Sequence, residues 1–306
     1  MKTTFSRRHL LSGGVIAGVA TLFPSLMLVG CGDEAGVTLP IPRDAAALLR
    51  TLTLDGAYLI VDPRTGRAYR IDQSANTVSQ LNASGAPQWT FGASGDEAQR
   101  LNFPTGVLPV ADGTVLVSDS GNGRLVLVSA EGRFVRSIDG AGSGRNAVID
   151  SNNVLWASDS KTGTIKSFDL NGTARMGVSL SMGSEAMPKA PRGLALDAAG
   201  NLHVVDALDA NVKVLTRTGT LVRQYGALGA AQGQFLAPRS IAVTPNGVSY
   251  VSDPTAGKIE VFDPAGAPLA RLDNLTLAGR AAVPLDVSVR NNGLVQVRLY
   301  APVLAA

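Results

Sequence analysis

A column of aspartates recurs through most of this chain and limits what it can fold into. Asp72, Asp119, Asp159, Asp206 and Asp253 stand 47, 40, 47 and 47 residues apart. A glycine follows each by 13 residues, at Gly85, Gly132, Gly172, Gly219 and Gly266. A glycine or asparagine precedes each by six, at Gly66, Gly113, Asn153, Gly200 and Gly247. A β-branched residue or leucine follows each by six, at Val78, Leu125, Ile165, Val212 and Ile259. Four columns held in register at this period mark an array of one supersecondary unit, whose copies bury their faces against one another.

The runs between these residues have strand chemistry. In one repeat, Gly193 to Asp197 reads as a first strand and Ala199-Gly200 as a turn. Leu202 to Val205 reads as a second strand and Val212 to Leu215 as a third. Thr218-Gly219 turns again into a fourth strand, Leu221 to Tyr225. Four short antiparallel strands joined by glycine turns make one blade of a β-propeller. The spacing predicts an all-β, six-bladed propeller over residues 48–306. In the last repeat Pro284 and Gly293 keep the separation of Pro191 and Gly200, but the aspartate column falls on Leu299, and the outermost strand is missing. Residues 48–54, L-L-R-T-L-T-L, resemble the fourth strands Phe134 to Ile138 and Leu221 to Tyr225. They are expected to complete the last blade from the N-terminal side, leaving no unpaired edge.

Residues 1–31 read as an export signal. Ser6-Arg7-Arg8-His9-Leu10-Leu11 precedes an apolar run, Val15 to Val29, interrupted by Gly18 and Pro24. That is a charged segment followed by an apolar one, too short and broken for a spanning helix of about 20 apolar residues. The Arg7-Arg8 pair resembles a twin-arginine signal, although Leu10 and Ser12 stand where Phe and Lys are commoner. Leu28-Val29-Gly30-Cys31 resembles a bacterial lipobox. The resemblance implies that Cys31 takes a diacylglycerol and becomes the mature N-terminus, anchoring the chain stably by two acyl chains. The alternatives are a plain membrane anchor or a cleaved signal with an incidental cysteine. Gly32 replaces the aspartate that retains lipoproteins at an inner membrane, which implies the outer membrane, facing the periplasm, in a Gram-negative host. Residues 32–47 read as a tether.

The chain has 27 Lys and Arg against 24 Asp and Glu, but Lys2, Arg7 and Arg8 supply the whole excess. A balanced folded part argues against a nucleic-acid partner. Loss of residues 1–30 would leave His203 as the one histidine and Cys31 as an N-terminal cysteine. That excludes disulfides, zinc–cysteine sites, Cys–His nucleophiles and His-rich metal sites. No cofactor is expected.

The repeats resemble the NHL family, on Pro191-Arg-Gly-Leu-Ala-Leu-Asp197, Gly200-Asn-Leu-His-Val-Val-Asp206, the link Gly229-Ala-Ala-Gln-Gly-Gln-Phe235 ending in Pro238, and Asp119-Ser-Gly-Asn-Gly-Arg124. The resemblance covers about 250 residues. It implies the propeller fold but no single function, because that family includes scaffolds, ligand binders and a few lyases. Streptogramin-lyase-like and gluconolactonase-like propellers share the blade pattern.

The aspartates could ring a channel as metal ligands, but a residue repeated at a turn in every blade is better explained by the backbone N–H groups it accepts. His203 shares its position with Tyr69, Leu116, Trp156, Tyr250 and Gln296, a packing position on the second strand. Trp89 and Trp156 read as blade core. Fourteen residues before each aspartate stand Tyr58, Thr105, Arg145, Arg192 and Arg239, with Leu285 in the last blade. Three successive arginines, Arg145, Arg192 and Arg239, would meet at one mouth of the channel as a candidate site for an anion or an acidic partner. The competing reading pairs each with a neighbouring carboxylate. No nucleophile elbow or P-loop occurs. The expected function is a lipid-anchored, non-catalytic platform for a protein, peptide or glycan partner in the bacterial envelope. The alternative is a metal-dependent lyase or lactonase in the channel, for which Asn146, Asp150 and Asp286 are the candidate ligands.

Overall fold

The computed structural model describes residues 26–29, 57–62, 65–93, 97–141, 147–160, 162–175, 187–277, 280–289 and 295–300. Among these residues the protein is entirely strand, turn and loop, and no helix is long and apolar enough to cross a membrane.

The strands form consecutive antiparallel meanders. The first sheet is Ala57–Val61, Ala68–Asp72, Thr77–Leu81 and Pro87–Phe91. The second is Pro104–Pro109, Val115–Asp119, Arg124–Val128 and Phe134–Asp139. The third is Ala147–Ile149, Leu155–Asp159 and Thr164–Phe168, extended by a single bridge from Phe168 to Ala174. The fourth is Pro191–Leu196, Leu202–Asp206, Asn211–Leu215 and Leu221–Tyr225. The fifth is Ser240–Val243, Ser249–Asp253, Lys258–Phe262 and Pro268–Leu272. Val283–Val289 pairs with Val295–Tyr300 in a C-terminal sheet.

The glycine columns have a backbone cause. Every residue in them takes a positive φ, from 58° at Asn153 to 92° at Gly266. Each ends a tight turn, as Gly200 N–H does on Asp197 C=O at 2.9 Å. This conformation penalises a Cβ, so glycine fills nearly all of the positions and asparagine one. The second column is also a packing column. A Cβ on Gly132 would lie 2.5 Å from the Trp89 ring, and one on Gly266 would lie 2.9 Å from Tyr225 Cβ. In each case the outer strand of the preceding sheet presses on the turn.

The apolar core lies between the sheets. Val78 and Phe91 of the first sheet pack with Val107 and Val117 of the second. Leu116, Leu125 and Ile138 of the second pack with Leu155 and Phe168 of the third. Trp156 and Ile165 then meet Leu194 and Val204, Val212 and Tyr225 meet Ile241 and Phe262, and Tyr250 and Ile259 meet Val287 and Val297. Each fully buried aliphatic side chain here contributes about 1.5–3 kcal/mol. The sheets approach most closely through their first strands: Pro191–Leu196 lies against Ser240–Val243, and that strand lies against Val283–Val289. A Cβ on Gly193 would sit 2.9 Å from the Arg239 carbonyl.

The closing segment expected at residues 48–54 lies outside the described residues. The neighbour of Val295–Tyr300 in the structure is Leu26–Val29, which runs parallel to it. Those residues fall within the export signal expected at 1–31.

Gly266→Val is expected to lower the unfolding free energy by about 2–4 kcal/mol, from the positive φ and the Tyr225 contact together. Gly257→Ala is the control, because Gly257 has a φ of 65° but nothing within 4 Å of its Cβ position. It should cost about 1 kcal/mol. Urea midpoints distinguish the two, and equal losses would remove the packing explanation.

Candidate functional site

Each column aspartate closes the second strand of its sheet. The registers Pro104 opposite Asp119 and Pro191 opposite Asp206 place the start of the first strand at that same end. One end of the sheets therefore carries the aspartate turns, the links between sheets and the arginine column.

The carboxylates at this end are engaged in holding the backbone. Asp206 accepts N–H groups from Lys189 at 2.8 Å and Ala190 at 3.0 Å, in the link leading into its sheet. It also accepts Leu208 N–H at 3.1 Å, in its own turn. Asp119 accepts Asn102 N–H at 2.7 Å, and Asp253 accepts Leu236 N–H at 2.6 Å. Asp72 accepts Ala75 N–H at 2.9 Å. The turn reading holds, and Asp119, Asp206 and Asp253 do more than the turn requires: they stitch the incoming link to the sheet.

Cations on the third strands complete this stitching, and the sequence reading missed them. Arg124 pairs with Asp119 at 2.7 Å and donates to the Arg100 carbonyl at 2.8 Å. Lys213 is fully buried between Asp206 at 2.8 Å and Asp209 at 2.6 Å, and it donates to the Met187 carbonyl at 3.1 Å. Lys258 donates to the Gln234 carbonyl at 2.6 Å and pairs with buried Glu260. Glu260 also takes Gly233 N–H and Arg271 at 2.8 Å each. The available signal was a lysine or glutamate in the middle of an apolar third strand, in N-V-K-V-L and K-I-E-V-F.

The arginine column divides. Arg145 lies outside the described residues. Arg239 meets Asp286 of the C-terminal sheet at 3.7 Å, as the pairing alternative expects. Arg192 is exposed, and its guanidinium has no side-chain partner among the described residues. Arg192 and Gly193 fall in a register irregularity between Pro191 and Leu194, and similar irregularities follow Pro104 and Pro284. Such bulges turn a side chain away from the regular pleat. The backbone beneath the column is clamped from the preceding sheet, by Ser158 Oγ on Arg192 C=O at 2.7 Å and Ser252 Oγ on Leu285 C=O at 3.3 Å. Of the candidate metal ligands, Asn146 is outside the described residues. Asp150 belongs to a hairpin turn at the opposite end and accepts Asn152 and Val154 N–H, which corrects its placement in the channel. Asp286 faces Arg239. No three His, Cys, Asp or Glu side chains gather as metal ligands among the described residues.

His203 lies at the boundary of the fourth and fifth sheets. Its Nδ1 is 3.0 Å from Tyr225 Oη, which donates to Ser249 Oγ at 2.9 Å. Its Nε2 lies 3.5 Å from Asp197. Burial, with Arg223 in support and Asp197 opposing, pushes the His203 pKa down to about 4. Burial likewise pushes the Tyr225 phenol up. Trp156 is buried, and the Trp89 indole donates to Ala130 C=O at 3.0 Å, so neither ring offers a ligand platform. A depression of about 550 Å³ lies at the outer edges of the first two sheets, beside Phe91, Gln99, Arg133 and Phe134, with no acid or histidine among the described residues that line it.

No family model matches the chain. RING finger protein nhl-1 of Caenorhabditis elegans is 32% identical over 71 residues, which is 23% of this chain and 7% of that protein. A streptogramin B lyase structure aligns with a TM-score of 0.61 over 83% of this chain and 86% of its own, at 15% identity. Virginiamycin B lyase from Staphylococcus aureus aligns at 0.57 over 75% and 72%, at 13% identity. A chain of a nidogen/laminin complex aligns at 0.54 over 79% and 83%, at 18% identity. The fold is a β-propeller. Its repeats are NHL-like, its sheets are the blades, and the fourth, fifth and C-terminal sheets meet through their first strands. These identities carry the fold and no activity.

Because the unfolded chain binds a proton at His203 below about pH 6.5 and the folded chain only near 4, propeller stability is full above 6.5 and falls as the pH drops through that window. His203→Leu places there the residue found at Leu116 of the second blade. Between pH 7.5 and 4.5 the parent should lose about 2–3 kcal/mol more than the variant in urea titrations. Equal losses would contradict the buried neutral imidazole.

Proposed function

We propose that this chain is a six-bladed NHL-type propeller, anchored in the bacterial cell envelope by lipid on Cys31, that acts as a non-catalytic binding or scaffold protein. In a Gram-negative host it faces the periplasm from the outer membrane. Six blades are supported by the five inter-sheet cores and by a C-terminal sheet that repeats the start of the blade pattern. Cleavage before Cys31 would remove Leu26–Val29 and leave residues 48–54 to close the last blade.

One observation carries the binding reading. The buried charges and the lone mature histidine are used in construction, whereas Arg192 at the axial mouth is exposed and has no side-chain partner among the described residues. An exposed guanidinium on a bulge, one strand from Arg239 in the next sheet, suits recognition of a carboxylate or other anion on a protein, peptide or glycan. The second reading, a metal-dependent lyase or lactonase, draws on the lyases that share the fold.

Intact-mass analysis of protein extracted from host membranes should show a chain beginning at Cys31 with added acyl mass. Cys31→Ser should move the protein to the soluble fraction. Metal analysis of the same sample should find no stoichiometric divalent ion. An unmodified cysteine would overturn the anchor, and a tightly held metal would overturn the non-catalytic reading.

A further inference from the structure

Among the described residues, the C-terminal sheet supplies two strands from its own repeat, where the fourth and fifth sheets have four. Its second strand is firmly seated. Val295, Val297 and Leu299 are buried in a core shared with the fifth sheet. On the outer side of that strand no described residue of its own repeat pairs with it, and such an edge presents a row of backbone groups, a template for any extended segment. Leu26–Val29 takes this place, in register from Leu26 opposite Val295 to Val29 opposite Arg298.

The direction of that strand is informative. In an antiparallel meander the fourth strand runs parallel to the second. A segment that skips the third position and leads on toward the first sheet therefore lies parallel on the second strand. Leu26–Val29 is parallel to Val295–Tyr300. It thus has the direction of a missing fourth strand laid against the second. L-M-L-V is uncharged and apolar, and strand addition draws its affinity from main-chain hydrogen bonds that many sequences can supply.

We infer that the outer edge of Val295–Tyr300 is a strand-acceptor site, and that in the unprocessed chain its occupant is Leu26–Val29. The apolar part of the export signal is then docked on the propeller as an added strand. The strand ends two residues before Cys31, so processing there requires it to be undocked, and hydrolysis before Cys31 frees the edge for residues 48–54. This last consequence rests on the envelope reading, whereas the occupancy before processing does not.

Hydrogen exchange read by mass spectrometry on the full chain tests the occupancy, with Cys31→Ser blocking processing. Two variants each break one candidate strand, Met27→Pro with Leu28→Pro and Thr51→Pro with Leu52→Pro. Paired prolines remove the bonding amide whichever residue of the pair supplies it. The 27/28 variant should speed exchange of the outward amides of Val295–Tyr300 at least about tenfold, while the 51/52 variant leaves them unchanged. The amides of Val115–Asp119 report that the fold is intact. Acceleration by the 51/52 variant alone, by both or by neither overturns the inference. The acyl mass at Cys31 is a separate readout, so failure of the envelope reading is distinguishable from failure of this one.

Discussion

A twisted sheet whose strands are about five residues long has two apolar faces, and neither is covered within its own repeat. The faces can be buried only by the sheets before and after. In this protein each apolar cluster straddles two consecutive sheets: Val212 of the fourth meets Phe262 of the fifth, and Ile259 of the fifth meets Val297 of the next. The glycine turns are shaped by the same requirement. Gly132 and Gly266 lack a Cβ where Trp89 and Tyr225 of the preceding sheet press against them.

Stacking of this kind fixes the sheets but leaves long links free to wander over one end. That end is where the protein places its buried charge. Asp206 with Lys213, and Glu260 with Lys258 and Arg271, hold link carbonyls and N–H groups from inside the blade. Burying such charges is costly unless every member is paired, and these networks are densely paired. Chemistry and construction therefore compete for the same residues at this end. Arg192 is exposed on a register irregularity at the start of its first strand, outside the charge networks that hold the links.

Much of this was readable from residue spacing. The Gly and Asn columns follow from positive φ at fixed places in a repeated turn. The strands Leu202–Asp206 and Asn211–Leu215 follow from apolar runs between those turns. Lys213 and Glu260 were visible as ions in apolar third strands, but what they hold was not, because Met187 and Gly233 of the links lie 26 and 27 residues upstream. The serine clamps escaped for the same reason: Ser158 and Ser252 each bond a carbonyl in the next sheet. Asp150 was misplaced because a hairpin-turn carboxylate and a channel carboxylate look alike in one dimension. Residues 48–54 carry the pattern of a closing strand, yet Leu26–Val29 lies on the edge, because main-chain pairing discriminates weakly between apolar segments.

The demand that every sheet be covered on both faces has one place where it is most exposed to test, the junction of the C-terminal sheet with the first. An experimental density map of the chain beginning at Cys31 measures it directly. The account predicts that Val283–Tyr300 packs against Ala57–Phe91 and closes a ring of six sheets. An open arc at that junction, or a ring with a different number of sheets, would contradict it.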